Sequence, residues 1–271
     1  MKRFLLLLVT AVCNVAVMYA DSIPAERPRP LTSTYHVSLG GMSALSTYLS
    51  PVMHSGTTAG LGGEWSRRLR CDRYDLSQSY SASFGMGFLS DPHAKSAMSD
   101  IHLALAWHIR RDFSLLPGLA IGLGAGLSAE GGLLYLPRNS NNPVAARVSV
   151  DMTVHASASY VMRIGRLPVR LIEQVSLPSL GLFFSPHYGQ SYYEIYLGER
   201  SGLARCGWWG NHFGINNLCA VEIPVCGIRL RLGYALEVRS SLASGINTRI
   251  TSHQCVLGIS TDWINVTRNS Q

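Results

Sequence analysis

His155 and Ser157 stand two residues apart in the run Val154, His155, Ala156, Ser157. Side chains two apart on a β-strand share a face, so the imidazole could take the hydroxyl proton and leave the serine as a nucleophile. That pairing would serve ester hydrolysis. Serine and histidine are also ordinary linings of a polar cavity, and both roles are open at the level of sequence.

The second set of reactive groups is charged. Glu64, Arg68, His102, His108, Arg110, Asp151, His155, Arg170, Glu222, Arg229, Arg231, Glu237 and Arg239 all fall on the polar side of alternating segments. Facing one another in a narrow space, such rows cross-link through bidentate arginine–carboxylate pairs. Left partly unpaired, the same rows would form a conduit whose arginines draw anions. The balance in this set is six arginines against four carboxylates, a small excess.

The element that places these groups is the stretch Arg147 to Gly165. Val148, Val150, Met152, Val154, Ala156, Ala158, Tyr160 and Met162 alternate there with Ser149, Asp151, Thr153, His155, Ser157 and Ser159. Period two sustained over about nineteen residues is a β-strand, and much longer than the usual 5 or 6 of a globular sheet. One apolar face and one polar face at that length is the pattern of a transmembrane barrel strand. Similar rows recur at 34–42, 57–69, 77–89, 101–110, 118–128, 169–175, 189–197, 219–223, 228–239 and 247–266, with a further segment at 202–209 needed to keep short and long turns on opposite ends. The expectation is an all-β, antiparallel transmembrane β-barrel of about twelve strands, with ten as the alternative. Short inner turns are expected at Gly165 and Gly227, and outer loops at Met42 to Gly56, Gly131 to Pro143 and Pro178 to Gln190.

The 271 residues are 47 % hydrophobic and only 14 % charged, against about 25 % charged in ordinary soluble domains. Lys2 and Arg3, an apolar run from Phe4 onward and small Ala20 before Asp21 form a cleavable secretory signal. The expected layout is a signal peptide at 1–20, an extended proline-bearing lead-in at 21–32, a barrel at 33–266 and a tail at 267–271. Beyond the signal no run of about 18 apolar residues occurs, which excludes helical spans and leaves a closed barrel as the way across a bilayer. A secreted soluble β-sandwich also alternates, but its solvent face carries Lys, Glu and Thr; here the polar rows are Ser and Gly, with Lys95 the one lysine after the signal. The net charge of +7 falls to +5 without Lys2 and Arg3. Those cations are scattered singly on an exported chain, which argues against nucleic acid as a partner. The five cysteines beyond the signal, Cys71, Cys206, Cys219, Cys226 and Cys255, have no metal spacing, so no metal or other cofactor is expected.

The segment GLFFSPHYGQSYYEIYLG, Gly181 to Gly198, resembles a motif of the DUF3316 domain family of Bacteroidetes, proteins of unknown function. STYLSPVMHSG, Ser46 to Gly56, and LRLGYALEVRSS, Leu230 to Ser241, are similar to further parts of that family. The resemblance implies an exported, barrel-like bacterial protein and supplies no catalytic residue. Within the motif, Tyr192, Tyr193 and Tyr196, with Trp208, Trp209 and Trp263 outside it, suit a membrane interface where a ring meets lipid and its polar tip meets water; a loop folded over a mouth to touch a ligand is the other view of the tyrosines. The spacing of His155 and Ser157 resembles that of outer-membrane phospholipase A and lipid A deacylase, although no Asn-Gly follows Ser157 and the pair faces the lumen. Three classes follow: a non-enzymatic narrow or plugged outer-membrane channel or loop-presenting surface protein of a Gram-negative bacterium, a barrel lipid hydrolase, and a secreted sandwich. In the first, outer-membrane lipid and, during insertion, the barrel-assembly machinery are the partners of a monomer.

Overall fold

The alternating rows become strands that hydrogen-bond into a closed ring. A computed structural model describes residues 30–69, 76–140 and 142–263; the expected signal peptide, most of the lead-in, the tail and Cys71 lie outside them. Among the described residues the strands are β1 (Leu31–Ser46), β2 (Ser50–Arg68), β3 (Leu76–Ser90), β4 (Ala97–Leu116), β5 (Leu119–Tyr135), β6 (Val144–Ile164), β7 (Leu167–Phe184), β8 (Ala204–Trp208), β9 (His212–Val225), β10 (Ile228–Ala243) and β11 (Ile246–Trp263), with a short helix, α1 (Tyr192–Tyr196), between β7 and β8. All pairings are antiparallel, and β1 pairs β11 to close the ring. No helix among the described residues is long and apolar enough to cross a membrane, which says nothing about strands.

The ring has ten strands, not twelve, because two expected segments do not enter it as separate staves. Gly189 to Leu197 contains α1, started by a capping box in which the Ser191 hydroxyl accepts from the Glu194 N–H and the Glu194 carboxylate accepts from the Ser191 N–H. The segment at 202–209 yields β8, which runs along β7 in the same direction as β9: Leu180 to Phe184 pair with β8, and Arg170 to Ser176 pair with β9. β8 is therefore the upper continuation of β9 across a kink. Asn211 fastens that kink, accepting from the Trp208 N–H at 2.8 Å and donating to the Cys206 carbonyl at 3.0 Å.

Following hydrogen-bonded neighbours once round the ring gives the stagger. From Ala156 the path runs through Val175, Asn217, Leu236, His253, Gly41, Thr57, Phe88, Ser99 and Tyr135, and returns to β6 at Val144. The displacement from 156 to 144 is twelve residues, which over ten strands tilts them by about 40°.

Two-residue turns at Gly165 and Gly227 occur as expected, both glycines with positive φ (64° and 84°). The expected long loops are shorter. Met42 to Gly56 is strand except for Thr47 to Leu49, the loop after β5 begins only at Leu136, and β7 continues to Phe184. The physical reason is an inversion of the alternation. Along the lower part of β1, Tyr35, Val37 and Leu39 point out while Thr34, His36 and Ser38 point in; above Gly41 the outward residues are Ser43 and Leu45 and the inward ones Met42, Ala44 and Ser46. β11 inverts likewise, from outward Ile259, Leu257 and Cys255 to outward His253, Thr251, Arg249 and Asn247, with Ile250 and Ile246 inside. Below the inversion the wall is apolar outside: Leu39 is 66 % and Val150 53 % exposed. Above it, Met42, Ala44, Leu49, Leu89, Met98, Leu134, Leu136, Ala145 and Ile250 fill the interior as one buried cluster, with Tyr48 packed on it.

Candidate functional site

The lumen below that cluster is the site, and ionic bridges divide it. Inward rows on β9 and β10 carry Glu222 and Arg231 as direct neighbours. Arg231 donates through Nε and Nη2 to Glu222 Oε1 at 2.9 and 2.7 Å, and through Nη1 to Glu64 Oε2 at 3.2 Å. Gln174 on β7 donates to Glu64 Oε1 on β2 at 3.2 Å. β7 and β2 are five steps apart in the ten-strand ring, so this hydrogen bond spans the lumen. Glu222, 1 % exposed, also accepts from the Ser260 hydroxyl at 2.8 Å and has Arg229 Nε at 3.3 Å. Arg229 grips Asp262 with two bonds of 2.5 and 2.9 Å.

A second bridge lies higher. Asp100 receives Arg147 at 2.8 Å and holds His102 Nδ1 at 2.6 Å. Arg147 lies 3.5 Å from Glu130, which accepts from Arg239 Nε at 3.0 Å. Arg239 is 3.5 Å from Glu237, and Asp151 pairs with His212 at 3.2 Å while accepting from Ser149 at 2.8 Å. Glycines on the facing rows make room for the rings between the bridges: a Cβ on Gly85 would meet His102 at 2.5 Å, and one on Gly126 would meet His108 at 2.7 Å.

The bridges leave a middle chamber of about 260 Å³ and a lower cavity of about 500 Å³. His155 lines the chamber, stacked on His108 with ring centroids 4.4 Å apart. Its Nδ1 lies 2.8 Å from the hydroxyl of Ser176, its register partner on β7. Ser157 lines the lower cavity instead, where a Cβ on Gly122 would touch its Oγ. The serine beside His155 is thus Ser176, which alternation on β6 alone could not reveal. Among the described residues no group of three His, Cys, Asp or Glu could hold a metal ion.

The structure joins Glu64, Glu222, Arg229 and Arg231 in the lower bridge and His102, Glu237 and Arg239 in the upper. Asp151 adjoins the upper bridge through His212 and Ser149. Arg110 is held by Asp112 at 3.1 Å, Arg170 stands 4.0 Å from Glu222, and Arg68 lines the lower cavity. Asp100, Glu130, Arg147, Gln174 and Asp262 complete the bridges and were not among the candidates. Carrying the even-numbered row of β5 past Ser128 reaches Glu130, and carrying that of β4 below His102 reaches Asp100.

At the upper end Tyr192 covers the mouth. Its hydroxyl accepts from the Ala146 N–H at 2.7 Å, and its ring packs against Phe184 and edge-on against Tyr48. Tyr48 donates to the Gln190 carbonyl at 2.6 Å, and burial, with Tyr192 and Glu194 nearby, pushes its phenol up to about 12. Burial likewise raises the Tyr192 phenol. Tyr193 and Tyr196 are exposed, Trp208 and Trp263 lie outward on their strands, and Trp209 donates to the Pro178 carbonyl at 2.6 Å.

Known structures share this architecture. The outer membrane protease OmpT from Escherichia coli is 8 % identical, with 89 % of this chain and 99 % of that one covered and a TM-score of 0.52. The transport unit of the autotransporter AIDA-I from Escherichia coli (8 % identity, 92 % and 94 % covered, TM-score 0.42) and an outer membrane channel from Pseudomonas putida F1 (11 %, 90 % and 100 %, 0.37) are more distant in shape. The likeness to OmpT is one of fold. No curated protein matches the sequence. The family model of the proteins of unknown function called DUF3316 matches residues 3–270, nearly the whole chain, and the protein belongs to that family.

Proposed function

We propose that the protein is an outer-membrane barrel closed at its outer end, a plugged, non-enzymatic wall protein and not an open channel. The apolar cluster between Met42 and Ile250 carries this reading. It fills the upper lumen where the outer faces of β1 and β11 have turned polar, while Phe88, Leu133 and Tyr135 keep β3 and β5 apolar outside, so on the β1–β11 side the barrel rises above the bilayer, greasy inside and wet outside. The lumen of a porin is polar and water-filled. The two ionic bridges below add obstruction. In this reading the chain is exported through its signal, inserted by the barrel-assembly machinery and monomeric in outer-membrane lipid. Refolded protein should show heat-modifiable gel mobility and no steady single-channel current in planar bilayers; steady current from the wild type, or solubility without detergent, would overturn it.

One contact favours a second reading. The 2.8 Å approach of His155 to Ser176 is the geometry of a base and a nucleophile, so a hydrolase here would work through Ser176. Ester hydrolysis abolished by Ser176→Ala and untouched by Ser157→Ala would establish it.

A further inference from the structure

We propose that the lower cavity binds a small oxyanionic solute, a phosphate ester or free phosphate, on Arg170. The cavity, about 500 Å³, has the size of a small-molecule site. Its lining carries five arginines, Arg67, Arg68, Arg110, Arg170 and Arg231, against three carboxylates, Glu64, Asp112 and Glu222. Those carboxylates are already engaged. Glu64 accepts from Arg231 and Gln174, Asp112 from Arg110 and from Ser77, and Glu222 from Arg231 and Ser260 with Arg229 close by.

Arg67, Arg68 and Arg170 remain, and the first two are exposed while Arg170 reaches inward beside Glu222. Among the described residues the carboxylate oxygen nearest Arg170 is 4.0 Å away, beyond hydrogen-bond range, and its Nε is buried without a hydrogen-bond partner while the side chain as a whole is 42 % exposed. The rest of the guanidinium is open to the cavity, where an oxyanion can accept charge-assisted bonds from it. Ser157, Ser159 and Thr32 line the same space and supply hydroxyls for the remaining oxygens. β1 begins and β11 ends at this end of the barrel, so the solute would enter from the periplasmic side. The site holds whether or not the upper end conducts, so its test is independent of the conductance experiment.

The experiment is calorimetric titration of the folded full-length barrel in neutral detergent with glycerol phosphate, with glycerol as the uncharged control, repeated on Arg170→Gln. Arg170 stands outside the short contacts of both bridges, and unchanged heat-modifiable mobility checks that the variant folds. Glycerol phosphate should bind the wild type and glycerol should not, with affinity about tenfold or more weaker in Arg170→Gln. Binding of phosphatidylglycerol in mixed micelles, dependent on Arg170 and without any response to free glycerol phosphate, would place the same oxyanion on a lipid headgroup. Absence of binding by either probe, or equal binding by wild type and Arg170→Gln, would overturn the proposal.

Discussion

Glu222 meets three arginines within 4.0 Å, and its removal tests how the barrel is braced. Its carboxylate lies among Arg231, Arg229 and, more distantly, Arg170. Glu222→Ala leaves Arg231 with Glu64 alone and Arg229 with Asp262 alone, in a nearly closed space, a change expected to cost about 3 kcal/mol, the low end for breaking a buried pair. Glu237→Gln, at a group meeting Arg239 at 3.5 Å and a quarter exposed, should cost less than about 1 kcal/mol. Denaturant titration of both variants in micelles measures the difference, and equal losses would mean that the bridges do not brace the wall. Alternation alone marks Glu222 and Arg231 as inward. It could not tell that Gln174 meets Glu64, because that contact depends on ring closure and on the twelve-residue stagger, quantities that no single strand encodes; His155 meets Ser176 through the register of the β6–β7 hairpin, which its two-residue turn at Gly165 sets.

At the scale of elements, the loop between β7 and β8 and the turn after β1 form one unit. Tyrosines at 192, 193 and 196 with Ile195 imitate an alternating strand, and the contrary signal was Ser191 followed three residues later by Glu194, the mark of a helix start. The upper end of β1 is legible as period two, but with Met42 and Ala44 on the inner face, and the facing end of β2 buries His54 while Val52 and Met53 stay exposed, so a search for one fixed sense of alternation stops at Met42. Tyr48 now joins the turn to the loop. Its phenol is raised in the folded protein, so the neutral form stabilises the closed loop fully below the unfolded value of about 10, and that contribution disappears as pH climbs through about 12. The difference in phenolate absorbance between wild type and Tyr48→Phe should therefore titrate near 12. A difference centred on the ordinary tyrosine value would mean that the loop does not cover Tyr48.

For the whole molecule the inversion level acts as a ruler. Below it, outward Val150 and Leu39 need lipid; above it, outward Ser43 and Thr251 need water. The barrel class, the antiparallel order and the inward rows follow from local alternation, whereas strand number does not, since a kinked strand such as β8 with β9 looks like two until its partner β7 is known. Placing one arginine at each level turns the ruler into a measurement. Val150→Arg puts a charge into the apolar belt and should reduce folding stability in lipid vesicles by about 2 to 4 kcal/mol, while Ser43→Arg, on the same outer wall but above the inversion, should cost no more than about 1 kcal/mol. Both substitutions add the same side chain at an outward position, so only the surroundings differ between them. Equal costs would remove the membrane boundary from the level of Gly41, and with it the claim that the apolar cluster from Met42 to Ile250 stands above the bilayer as a cap.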